Sequence, residues 1–407
     1  MKTLKTQNYT FSMQNKLQIV CTAAQRKRTF ILLKNTQYLP YWSILAKIGK
    51  DFFANWLTMK THSLVITPEI LSLIAELDAF NASWTSGHAL TPERLESLRY
   101  VATIESIGSS TRIEGSNLSN AEIQDLLGQI GTESFKTRDE QEVAGYADAM
   151  KTVFENHHEI PLNENYLKQL HGILLNYSNK DARHRGQYKT LNNHVEAFGP
   201  NGESLGVVFK TATPFDTPQE MQALYHWARE SLEDKSLHPL LVIGIFNVVF
   251  LAIHPFQDGN GRLSRILVTL LLLRAGYEYV PYSSMESVIE HNKNAYYLAL
   301  RRTQGTLDDA DPDWLPWLTF FLRSLRKQKD HLVVKIEASK GWSGLPEDSV
   351  QILNHLTANE RITIQQAEAL TGTTRGTLKN RFAQLIEKGL IDRKGAARNT
   401  WYIMKEK

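Results

Sequence analysis

Twelve consecutive residues, His254-Pro255-Phe256-Gln257-Asp258-Gly259-Asn260-Gly261-Arg262-Leu263-Ser264-Arg265, bring together one base, one carboxylate, two glycines and two guanidinium groups. His254 is the side chain here whose ordinary pKa suits a general base near neutrality. Asp258 offers a hard oxygen ligand of the kind Mg²⁺ takes when substrate phosphates supply the others. Gly259, Asn260 and Gly261 let the backbone approach a ligand closely. A helix starting near Arg262 presents free N–H groups and a partial positive charge, so the loop suits an anion such as phosphate. Arg262 and Arg265 stand three apart, share a helix face, and can grip neighbouring phosphates. A plain helix–loop–helix turn with solvent-facing arginines leaves this convergence of residue types unexplained.

The elements that must hold this segment are mostly helices. Leu240 to Ile253 is a run of 14 residues containing Gly244 and Asn247. That is short of the ~20 apolar residues a membrane span needs, so it is expected as a buried core helix, Pro239–Ile253, ending at the histidine. A second helix, Arg262–Ala275, leaves the loop. Thr67-Pro68-Glu69 and Thr91-Pro92-Glu93 are helix starts with a cap, a proline and a first-turn acid. Ile70, Leu71, Leu73, Ile74 and Leu77 form the apolar face of the first. Helical spacing recurs over Leu95–Ile107, Asn120–Ile130, Arg138–His157, Glu164–Asn176, Pro218–Asp234 and Asp313–Lys340. Between helices, Gln187–Lys210 is the best strand candidate, with Asn201-Gly202 as a hairpin turn. Residues 308–312 are expected as an exposed loop, and Lys340–Pro346 as a domain boundary.

The twelve-residue segment resembles the Fic family signature, H-x-F-x-[D/E]-G-N-G-R-x-x-R, at every specified position. The resemblance extends over about residues 67–304. It includes Arg185-Gly186-Gln187-Tyr188 before the hairpin and Asn294-Ala295-Tyr296-Tyr297 after it. It implies a mostly α, Fic-type helical core with a β-hairpin flap, and transfer of AMP from ATP to a hydroxyl side chain of a target protein or of the chain itself. It implies that His254 takes the proton from the attacking Ser, Thr or Tyr hydroxyl, and that Phe256 anchors the loop. Asp258 would hold Mg²⁺ against the α- and β-phosphates, and Gly259, Asn260 and Gly261 would form the anion cradle. Arg262 and Arg265 would bind the phosphates beyond the attacked phosphorus, with Tyr296 and Tyr297 in nucleotide binding. The hairpin around Asn192–Lys210 is similar to the flap that docks the target backbone by strand addition. Kinase-like relatives depart from G-N-G; this chain retains it, which favours nucleotidyl transfer.

Upstream, Ser110-Thr111-Arg112-Ile113-Glu114-Gly115 resembles the family's inhibitory motif, [S/T]-x-x-x-E-[G/N]. Its position before the core implies an intramolecular, N-terminal inhibitory helix whose Glu114 pairs with Arg265 and takes the space of the γ-phosphate. Some relatives use this glutamate to position water for removing AMP, so a de-AMPylase is an alternative. The bland reading is a surface glutamate ending a helix before Gly115.

Residues 346–407 are expected to form a small C-terminal winged helix-turn-helix domain of three helices and a hairpin. From Arg375 to Arg398, Arg375, Lys379, Arg381, Lys388, Arg393, Lys394 and Arg398 face only two acids, Glu387 and Asp392. That bias fits DNA phosphates, so DNA is a candidate partner and a DNA-binding regulator with a nucleotide-sensing Fic core is a second alternative. Many such modules bind protein instead. The expected organisation is a leader over 1–60, an N-terminal helical region with the inhibitory helix over 61–160, the catalytic core over 161–340, and the C-terminal module. The 407 residues have ordinary globular composition, 42% hydrophobic and 22% charged, which excludes a wholly disordered chain. A formal net charge of +3 does not by itself point to nucleic acid or membrane. One cysteine, Cys21, permits no intrachain disulfide and no thiolate zinc site. A cytoplasmic protein with no membrane partner is expected, with a homodimer left open.

Overall fold

Thr67 and Thr91 act as the sequence suggests. The Thr67 hydroxyl accepts from the Ile70 N–H at 3.2 Å and that of Thr91 from the Arg94 N–H at 3.4 Å. They open α1 (Pro68–Thr85) and α2 (Pro92–Ile113). The computed structural model describes residues 9–13, 17–21, 60–87, 90–128, 135–198, 204–340, 342, 344–358, 361–395 and 400–405. It divides into two compact units, Met1–Gly49 and Lys50–Lys407. In the first, β1 (Tyr9–Met13) pairs antiparallel with β2 (Leu17–Cys21), Phe11 opposite Ile19. This pair falls in the segment expected only as a leader; Tyr9, Phe11 and Met13 alternate with Thr10 and Ser12, which is a strand period.

In the second unit, α3 (Asn120–Leu127) and α4 (Arg138–Asn156) each begin with a reciprocal capping box, Ser119 with Glu122 and Thr137 with Glu140. Then come α5 (Glu164–Leu174), the antiparallel pair β3 (His194–Phe198) and β4 (Ser204–Lys210), and α6 (Thr217–Glu233). Register runs from His194 opposite Lys210 to Phe198 opposite Ser204, with two irregularities that bend the hairpin. The centre is α7 (Pro239–Ile253) followed by α8 (Asn260–Arg274). Every residue of α7 from Leu240 onward is buried. A helix apolar on all sides must be surrounded, and here α6, α8, α10 (Lys293–Gln304) and α11 (Leu315–Lys340) pack against it. Gly244 admits α11 closely, because a Cβ there would meet Leu318 Cδ2 at 2.7 Å; Trp317 Nε1 donates to the Gly244 carbonyl at 2.7 Å. α2, α4 and α5 pack on α8. Between α8 and α10 lie a 3₁₀ turn (Val280–Tyr282) and α9 (Met285–His291), and α9 packs on α2.

The last elements are α12 (Glu347–Ala358), α13 (Ile364–Thr371), α14 (Arg375–Glu387), β5 (Ile391–Lys394) and β6 (Trp401–Met404). They enclose a separate core that includes Ile352, Leu353, Leu378, Phe382 and Tyr402. Phe382 stacks on Tyr402 with ring centroids 3.9 Å apart. This module rests on α2 through α12, where Asn354 Nδ2 donates to the Ser97 hydroxyl.

The mostly α, hairpin-bearing fold class agrees with the sequence. Two helices, α9 and α10, are not legible in it. α9 has seven residues, and α10 buries only a thin stripe of Tyr296, Ala299, Leu300 and Thr303 in a polar sequence. Asn201-Gly202, Gly341, Arg398 and most of residues 1–60, including Phe52, Phe53 and Trp56, lie outside the described residues.

Candidate active site

α7 ends at His254 in a left-handed turn, φ 53° and ψ 62°. This conformation costs a non-glycine residue ~1–2 kcal/mol and persists only where the surroundings fix it. The His254 Nδ1 lies 3.3 Å from the Leu251 carbonyl. A carbonyl can only accept, so Nδ1 carries the proton and Nε2 keeps a free lone pair. Burial lowers the imidazole to about 4, aided by the nearby Lys189 cation, so it is neutral at ordinary pH.

The turn is pinned from inside by Phe256, which is fully buried and stacks on His171 with centroids 3.8 Å apart. His171 also holds the loop by hydrogen bonds. Its Nδ1 accepts from the Gly186 N–H at 2.9 Å, so Nε2 donates to the Asp258 carbonyl at 3.0 Å. Burial lowers His171 to about 4 as well. Asn260 spends its side chain inside the loop, accepting from Phe256 N–H at 2.9 Å and donating to Phe256 carbonyl at 2.8 Å. Its contribution to an anion cradle is therefore through backbone. Gly259 caps α8 with φ 79°, a left-handed conformation that glycine adopts without strain.

Arg262 is 2% exposed and pairs with Glu142 at 3.2 Å and Asp258 at 3.4 Å. Its Nε has no hydrogen-bond partner among the described residues. Burial alone would raise the Asp258 carboxyl, but Arg262 and the Gly259 N–H, at 2.7 Å, hold it below the usual range. Arg138 of α4 also reaches Asp258, at 3.4 Å. No group of three or more His, Cys, Asp or Glu placed to hold a metal occurs among the described residues. Asp258 is thus a single carboxylate beside an anion loop, the donor set suited to a cation that takes its other ligands from phosphates.

The upstream motif meets the loop directly. Arg265 Nη2 donates to Glu114 Oε1 at 2.8 Å and to the Ser110 carbonyl at 3.0 Å; Nε donates to the Ser110 hydroxyl at 2.8 Å. A Cβ on Gly261 would fall 2.2 Å from Glu114 Oε1, so the carboxylate occupies the cradle at the start of α8. Burial would raise the Glu114 carboxyl, but Arg265 outweighs it and holds it low. Tyr296, buried, and Tyr297, partly exposed, lie close enough to feel the Glu114 and Arg265 charges. The expected site residues thus gather around one loop. Sequence reasoning misses His171, Arg138, Glu142 and Lys189. His171 could have been found as a histidine on the apolar face of Leu167, Leu170 and Leu174.

The model of the Fic/DOC family matches residues 161–272. The protein adenylyltransferase Fic of Drosophila grimshawi is 30% identical over 254 residues, covering 61% of this chain and 48% of that protein. That of Drosophila virilis is 30% identical over 212 residues, covering 51% and 39%. The chain therefore spans about half the length, or less, of these curated relatives. Among solved structures, a Fic family protein from Desulfovibrio desulfuricans shares the fold with TM-score 0.53 and 22% identity over 84% of this chain and 98% of that one. A Fic domain-containing signalling protein from Bacteroides thetaiotaomicron gives 0.52 and 24% over 67% and 97%. Residues 161–272 thus match the Fic/DOC family, and the helical fold around them is shared with solved Fic proteins.

Proposed function

We propose that this chain is a protein adenylyltransferase that transfers AMP from ATP to a hydroxyl side chain, held off by Glu114. One observation carries the reading: a carboxylate, bound to Arg265, sits in the Gly261 cradle of an anion loop that begins at a neutral His254. A carboxylate there is the stand-in for a phosphate oxygen. In the reaction the hydroxyl oxygen of the target attacks the α-phosphorus of ATP, and His254 Nε2 takes the hydroxyl proton. The bond to the bridging oxygen of the β-phosphate breaks and pyrophosphate leaves. Arg262 and Arg265 neutralise the departing phosphates, and the α8 N–H groups orient them. Asp258 would hold Mg²⁺, which supplies charge neutralisation across the phosphates. Tyr296 and Tyr297 border the nucleotide. The flap from Asn192 to Lys210 aligns the target backbone by strand addition, at a cytoplasmic site of action.

The decisive experiment incubates wild type, Glu114→Gly and Glu114→Gly/His254→Ala with labelled ATP and reads intact mass. Glu114→Gly should gain the mass of AMP, and the double variant should bind ATP yet gain none. No transfer by folded Glu114→Gly would reject the reading. Loss of preloaded AMP in wild type but not in Glu114→Gly would favour removal of AMP as the main direction.

A second reading concerns residues 346–407, as a winged helix-turn-helix that contacts DNA. The observation favouring it is that Arg375, Lys379, Lys388, Arg393 and Lys394 are exposed on or just after α14.

A further inference from the structure

Lys189 is buried, 3% exposed, and lies in no part of the twelve-residue motif. Its Nζ donates to Asn193 Oδ1 at 2.8 Å, to the Thr211 hydroxyl at 3.0 Å and to the Ile253 carbonyl at 2.9 Å. Its backbone N–H donates to the Pro255 carbonyl at 2.9 Å. Asn193 and Thr211 are the residues immediately outside β3 and β4, the two feet of the hairpin. They are joined to each other, the Thr211 hydroxyl donating to Asn193 Oδ1 at 2.7 Å or its carbonyl at 2.8 Å. Asn193 Nδ2 in turn reaches the carbonyls of His254, at 3.4 Å, and Phe256, at 2.8 Å. Four successive carbonyls, those of residues 253 to 256, are therefore held by Lys189 and Asn193.

We propose that Lys189 is a positioning residue that staples both feet of the flap to the left-handed turn at His254, so that target backbone and general base are held in one register. This rests on the transferase reading above. The placement accounts for two otherwise separate facts. A non-glycine residue stays at φ 53°, and a lysine is buried with no carboxylate within ion-pair distance among the described residues. Three short hydrogen bonds to a cation, two of them to groups that leave the flap, are the compensation for burying it. A merely structural lysine would need partners somewhere in the core; these partners are the three segments whose relative position a transfer to a flap-docked hydroxyl depends on. A misplacement of ~1 Å between reacting groups costs roughly 100-fold in rate.

The test compares Lys189→Met and Lys189→Arg in the Glu114→Gly background, which supplies a measurable transfer rate. Lys189→Met should transfer AMP to itself about 10- to 100-fold more slowly at saturating ATP, with its affinity for ATP within about threefold. Lys189→Arg, which can donate to the same three oxygens, should recover at least a third of the parent rate. Hydrogen exchange should accelerate in Lys189→Met in peptides spanning 190–212 and 250–258, but not over α1. If Lys189→Met does not fold, Thr211→Val, at the opposite foot, carries the same expectations. A rate within threefold of the parent, or unchanged exchange across both segments, overturns the proposal. A Glu114→Gly parent that binds ATP and transfers nothing rejects the transferase reading instead, and exchange across the flap then still decides whether Lys189 is the staple.

Discussion

At the scale of single residues, the loop depends on neutral histidines. His171 is fully buried, and its Nδ1 must accept from Gly186 while Nε2 donates to Asp258. A protonated ring has two donors and no acceptor, so it would lose the Gly186 bond and place a charge in the core. Its folded-state value of about 4 lies below the ordinary value of 6.5. Below pH 6.5 the unfolded chain therefore binds more protons than the folded one. Stability is full above pH 6.5 and is lost as pH falls towards 4, by about 2 kcal/mol per such histidine between pH 7 and pH 5. His171→Gln, which cannot titrate, should flatten the fall in melting temperature between pH 7 and pH 5. An unchanged slope would show that His171 is not held neutral. The motif residues are legible in the sequence because they are contiguous. His171, Glu142, Arg138 and Lys189 are not, because they reach the loop from elements distant from it in sequence: His171 from α5, Arg138 and Glu142 from one face of α4, and Lys189 from the segment before β3. Their side chains read individually as a core histidine, a surface acid and two solvated cations.

At the scale of elements, the brake proposed above is the end of α2, where Glu114 meets Arg265. Gly115, at φ 107°, ends the helix. Arg112 ties that end to α9, with Nε donating to Glu290 Oε1 at 2.7 Å and Nη2 to Glu290 Oε2 at 3.0 Å. Glu114 is thus presented to Arg265 from a helix end that is itself clamped. Ser110 adds a second contact of a different kind, a hydroxyl and a carbonyl that orient the guanidinium without neutralising it. The two contributions separate by substitution. Glu114→Gly removes charge and bulk, and a closed state favoured by about 2–3 kcal/mol would then release ATP binding by roughly 30- to 150-fold. Ser110→Ala removes one hydrogen bond to the guanidinium, a contact outside the cradle, and leaves the carboxylate in place at Gly261. It should raise ATP affinity by less than tenfold, as read by calorimetry. Equal effects of the two variants would mean that helix position, not the carboxylate, is the brake. The motif's sequence locates the glutamate. The clamp that gives it a fixed geometry stays hidden there, because Glu290 lies in a seven-residue helix with too little pattern to be recognised.

At the scale of the whole molecule, the C-terminal module sits on the same α2 that ends at Glu114, through α12 and Asn354. Its basic residues do not act as one set. Arg381 pairs with Asp348 at 2.9 Å and is only 26% exposed, so it closes α14 against α12. Arg361 lies over the Trp401 ring at 5.7 Å. Arg375 and Lys379 are exposed one turn apart on α14, and under the proposed DNA reading they are the residues that would meet phosphates. On duplex DNA, Arg375→Ala/Lys379→Ala should weaken retention and lower the salt-dependence slope by about 1.8, at ~0.9 for each phosphate no longer neutralised. Transfer by Glu114→Gly should be unaffected, since neither residue approaches the loop. Arg381→Ala should behave differently. It strands the Asp348 carboxylate and should lower the melting temperature of the module while leaving the salt slope unchanged. Wild-type retention with no salt dependence would remove DNA as the partner and point to a protein surface, because counterion release is unavoidable when cations cover phosphates.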